Sequence, residues 1–71
     1  GVSAEWRTRV NRAISSGKAR PSDLAMQAER ELEDLRGQAV SRLGDAKLRA
    51  KIMQKQAELR YLQGKEKVRH L

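Results

Sequence analysis

The 71-residue chain predicts an all-α fold, a small three-helix domain with a short N-terminal helix packed on a long antiparallel helical hairpin. Three observations predict it. Ala, Leu, Arg, Lys, Glu and Gln dominate the composition, with no Phe and one Pro, which favours helix. No stretch alternates apolar and polar residues with period two over strand length. Apolar residues instead recur by fours and threes, most clearly at Leu24, Ala28, Leu32, Leu35, Ala39 and Leu43. A chain of this size forms one domain, expected over residues 1–64, and buries only roughly 60% of the surface its unfolded form exposes. The core must be thin, and without Cys no disulfide or thiolate zinc site reinforces it.

The first helix is expected over residues 3–16. Ser3 is a good N-cap, and Glu5 stands in the favourable first turn, four residues before Arg9. Val2, Trp6, Val10, Ala13 and Ile14 share one side, with Trp6 as anchor, and "SSG" at 15–17 ends the segment. A loop, "GKARPS", holds the proline. Ser22 and Asp23 then open a second helix over 22–43 as cap and first-turn acid. A third is expected over 46–63, with Gly64 as its C-cap and residues 65–71 as a frayed basic tail.

The segment "RLGDAKLR" decides between two architectures. An unbroken helix from about residue 22, in a coiled-coil oligomer, would continue the Leu32 stripe through Ala46, Ala50, Met53, Ala57 and Tyr61, close to an eleven-residue repeat. The larger apolar residues after Gly44 are Leu48, Ile52, Leu59 and Leu62, however. At about 100° per residue their centre lies about 180° from the Leu32 stripe. A turn removes the conflict, with Gly44 left-handed after the second helix and Asp45 capping the third. Gly37 is a second weak point, or a close-contact position within the helix.

Charge is the strongest deviation, at +7 with a pI near 10.6. Residues 1–21 carry a net +4, residues 22–46 a net −3 and residues 47–71 a net +6, so an acidic helix lies between two basic ones. The pattern helps choose helix neighbours, yet the excess positive charge must face outward. Arg7, Arg9, Arg12, Lys18 and Arg20 form one candidate surface for phosphate or an acidic partner. Lys47, Lys51 and Lys55, recurring every four residues, form another. Trp6 and Tyr61 are too few for a single-strand stacking platform, and Gln54, Gln56 and Arg60 read as solvated polar positions. The connection before "PSDLAMQAERELEDLR" is too long, and the helix after it too extended, for a helix-turn-helix.

No catalytic, metal or cofactor motif emerges. Glu29, Glu31, Glu33 and Asp34 read as a solvated face without a pocket to perturb them, and Glu66 with His70 supplies two metal ligands where a stable site needs three or four. Gly37 and Gly44 lack the strand and lysine-serine ending of a phosphate loop. The chain is therefore expected not to be an enzyme, to take no small-molecule substrate, and to act by binding. Ala46, Ala50, Met53, Ala57 and Tyr61 lie opposite the hairpin face, and their small members permit close approach of a partner helix. The expected function is a helical protein-interaction or oligomerisation module with a basic surface, through a helical partner or self-association. The alternative is a DNA- or RNA-binding protein gripping the phosphate backbone. A membrane surface is disfavoured because Lys55 interrupts the apolar face of the third helix. With no apolar run near the roughly 18 residues of a span and no signal-peptide pattern, the expected location is cytoplasmic or another intracellular compartment.

Overall fold

The computed structural model describes residues 2–69, with side chains through residue 67. It contains three helices, α1 (Ala4–Ser15), α2 (Pro21–Ser41) and α3 (Ala46–Arg69). The body is elongated, 40 × 21 × 21 Å, because α2 and α3 lie side by side as an antiparallel hairpin. Among the described residues there is no strand, and no helix is long and apolar enough to cross a membrane.

Local chemistry fixes each helix end. The Ser3 hydroxyl accepts a hydrogen bond from the Trp6 amide (3.2 Å), so α1 starts where the cap residue directs it. At its other end Gly17 adopts φ +77°, which lets the Lys18 amide reach the Ala13 carbonyl (3.0 Å) and the Gly17 amide reach Ile14 (3.2 Å). This is a Schellman closure, which satisfies carbonyls that the last turn would leave open. α2 begins one residue earlier than expected: Pro21 takes the first helical position and Arg20 the cap, with no side-chain capping bond. Proline's fixed φ and missing N–H suit that position, so it replaces Ser22 as the start signal.

The turn at Gly44 forms. α2 stops at Ser41, Gly44 takes φ +91°, and the Asp45 carboxylate accepts from the Leu48 amide (3.1 Å) at the head of α3. Asp45 thereby caps α3, and the continuous rod is excluded. Two expectations at the ends need correction. Leu43, placed in the α2 stripe, is 87% exposed because the helix has already ended at Ser41. Gly64 does not cap α3: it has no positive φ, and the helix runs on to Arg69, so residues 65–69 belong to α3 and not to a frayed tail. His70, weighed above as a metal ligand and set aside, lies outside the described residues.

The core is graded along the hairpin. Val10 of α1, Ala25 and Ala28 of α2 and Leu62 of α3 form a buried cluster, with Trp6, Ile14, Leu24, Leu59 and Tyr61 packed around it. Leu32 and Leu48 are buried as well, outside that cluster. α1 therefore lies in the groove between the first half of α2 and the last half of α3. The alanines at 25 and 28 permit this approach, since their short side chains leave room for Val10.

Candidate functional site

The groove between α2 and α3 divides at an ion-pair network. Lys55 of α3 bridges to Glu31 of α2 and to Glu58 one turn away (3.1 Å), and Glu58 also accepts from the Gln54 side chain (3.3 Å). Glu58 is 8% exposed, and a polar group buried to that degree needs the hydrogen-bond partners that Lys55 and Gln54 supply. Burial alone disfavours the Lys55 charge, but hydrogen bonds from its ammonium to Glu31 and Glu58, and their Coulombic attraction, outweigh it and raise its pKa above the ordinary lysine value.

On one side of this bridge the groove is filled. Trp6 meets Tyr61 edge to face with ring centroids 5.5 Å apart, and the Asn11 side-chain amide donates to the Tyr61 hydroxyl (3.1 Å). Lys65 sits over the Tyr61 ring at 5.4 Å. On the other side the groove is open. Its lining is Leu35 and Asp34 from α2 and Ala50, Lys51 and Gln54 from α3, with Glu31 and Lys55 closing the inner end. Those same two residues border the small cleft beneath α1, so both halves lie on one face of the hairpin.

The residues expected to meet a partner divide between these halves. Ala46, Ala50 and Met53 are exposed, Met53 at 71%, and Ala50 lines the open groove. Ala57 is half-buried, and Tyr61 is taken up by Trp6 and Asn11 of α1, which lies in the same α2–α3 groove that Ala50 lines farther on. Among the basic residues, Lys47 and Lys51 are exposed on α3, but Lys55 turns inward to Glu31 and Glu58 and leaves the expected stripe. Arg7, Arg9, Arg12, Lys18 and Arg20 are all exposed. Arg9 and Arg12 border one shallow depression with Ala4, Glu5 and Thr8. Arg7, two residues from Arg9, lies about 160° around α1, so the three arginines do not form one patch.

Sequence reasoning passed over Glu58, Asn11 and Ala25. Glu58 carried a visible signal, since it falls beside the Leu48–Leu62 face of α3 and three residues from Lys55. Asn11 carried none, because its partner is 50 positions away. Among the described residues, no three potential metal ligands cluster, and Lys55 is the one cation in an ion pair. The pairing expected of Glu5 with Arg9 is not formed.

Comparison with known proteins adds no relative: no protein-family model, curated protein or solved structure matches the chain. The surface has to be read from its own chemistry. The chain exposes 5681 Å², whereas a compact folded chain of its mass presents roughly 4,500 Å². An elongated two-helix body has more surface for its mass than a compact one.

Proposed function

We propose that the protein is a non-enzymatic helical interaction module that receives a helix of another protein in the open half of the α2–α3 groove. The observation that carries this reading is internal precedent. The same two helices form one groove, α1 occupies half of it, and the other half, floored by Leu35 and Ala50, has no occupant among the described residues. Helix-in-groove recognition needs an apolar floor between two ridges, which Leu35 and Ala50 provide. The groove's carboxylates favour binding over catalysis, because Glu31 is committed to Lys55, and Asp34 accepts from Gln38 (3.4 Å).

The test uses a neutral amphipathic helical peptide with leucines on one face and glutamines on the other, titrated into the isotope-labelled chain. The expected result is amide shifts concentrated at Leu35, Ala50 and Gln54. Shifts spread evenly over the surface, or none at millimolar peptide, would remove this reading.

A second reading, nucleic-acid backbone binding, is favoured by one observation: among the described residues, the cations other than Lys55 have no carboxylate partner. Light scattering with a short generic duplex separates it. A complex that forms at about 50 mM salt and dissociates by about 200 mM would support phosphate binding through Arg9, Arg12, Lys47 and Lys51. A mass indifferent to duplex would remove it.

A further inference from the structure

We infer that the occupant of the open groove is an amphipathic helix of about 11 residues from a partner protein, carrying acidic residues on the flank that faces α3. This inference rests on the docking reading above and adds the partner's chemistry to it.

Length follows from the groove. From the Glu31–Lys55 bridge to its end at Ser41, α2 contributes 11 residues, roughly 16 Å at helical rise. This is close to the 12 residues of α1, which serves the other half. Anchor spacing follows from α1 as well. Trp6, Val10 and Ile14, at i, i+4 and i+8, are the side chains it turns toward α2 and α3, so a helix with apolar residues at that spacing matches the seam.

Charge selects the partner. Along the α3 rim, Lys51 lines the groove, Lys47 stands one turn before it, and neither is ion-paired. Along the α2 rim, Glu31 shares Lys55 with Glu58, and Asp34 accepts only from the neutral Gln38 amide, so that rim stays acidic and the positive rim is confined to α3. Glu29 and Glu33 lie about 160° from Glu31 around α2, on the side away from the groove. The open half therefore has a positive rim along α3. A second copy is disfavoured as occupant. Each chain carries +7, and the chain's own groove-filling helix bears Arg7 and Arg9 on its flanks, which would meet Lys47 and Lys51 with like charge.

The experiment measures fluorescence anisotropy of three labelled, alanine-based helical peptides of about 14 residues with the full chain. Each has leucines at i, i+4 and i+8 and glutamine on the flank toward α2, and differs only on the flank toward α3: glutamate, glutamine or lysine. The glutamate-flanked peptide should bind at least tenfold tighter than the lysine-flanked one at about 50 mM salt, with the gap narrowing as screening increases. Ala50→Trp, which fills the exposed floor, should abolish binding of all three, and the double variant Lys47→Glu, Lys51→Glu should reverse the order. Circular dichroism checks that both variants keep their helices. Equal binding of the three peptides, lost in Ala50→Trp, would overturn the acidic partner and leave the docking groove standing. Binding that survives Ala50→Trp would overturn both. A chain that ignores every peptide but forms a dimer dissociated by Ala50→Trp would identify a second copy as the occupant and overturn the inference. A monomer that binds none would overturn both.

Discussion

The two ends of the α2–α3 hairpin use the same pair of helices and differ in what covers them. At the end where α2 begins and α3 finishes, α1 adds a third layer, and Leu62 is only 2% exposed. At the turn end there is no third layer among the described residues, and Val40 and Met53 stand 76% and 71% exposed. Two helices in contact bury a seam, here Leu32 and Leu48, but they cannot enclose the ridges on either side. A third helix is needed for that. The chain supplies it for one half, and the proposed partner supplies it for the other.

Substitutions at the two ends should diverge accordingly. The largest effect is expected at the covered end, where Leu62→Ala should destabilise by about 3 kcal/mol and Trp6→Ala by about 2 kcal/mol, read from urea unfolding midpoints. Met53→Ala at the turn end should change stability by less than about 0.5 kcal/mol. Equal losses at both ends would mean that the turn end is buried in solution.

Between the two halves, Lys55→Met should cost about 1–3 kcal/mol by leaving the mostly buried Glu58 carboxylate short of a partner. The sign with pH is set by the raised pKa of Lys55. Its contribution is complete below the ordinary lysine value of 10.5 and is lost as pH rises through the higher folded value. The stability difference between wild type and Lys55→Met should therefore shrink in strongly alkaline solution and stay constant near neutrality.

Smaller effects come from the glycines. Gly44→Ala should destabilise by about 1 kcal/mol, since φ +91° is strained for any residue with a Cβ. Gly37→Ala and Gly64→Ala should each stabilise by about 0.5–1 kcal/mol, because both lie inside helices where an added Cβ meets open space. Thermal melts check all three. A loss at Gly37 would show that the position faces a close neighbour.

Much of the fold was legible in the sequence because it depends on local rules. Ser3, Gly17 and the Gly44-Asp45 pair each fix a helix end through a hydrogen bond or dihedral angle within a few residues, and opposed leucine stripes can be reconciled only by a turn. Gly64 misled because a lone glycine signals a stop or a tolerated interior position equally well, and neighbouring helix formers from Leu59 to Lys67 carry the helix through it. The site was legible only in part. Ala50 and Lys51 could be placed on one helix from spacing alone, but that α1 would cover Tyr61 and leave Ala50 open depends on contacts between residues some 50 positions apart. Lys55 was recoverable, since it falls within the α3 apolar face where a cation needs a carboxylate opposite.

The most direct test of the half-covered groove is amide hydrogen exchange on the full chain with and without the glutamate-flanked peptide. The account predicts slower exchange in α2 and α3 around Leu35 and Ala50, with Val10 and its neighbours in α1 unchanged. Faster exchange throughout α1 on peptide addition would contradict it, because the peptide would then be displacing α1 from the covered half and leaving the open half empty.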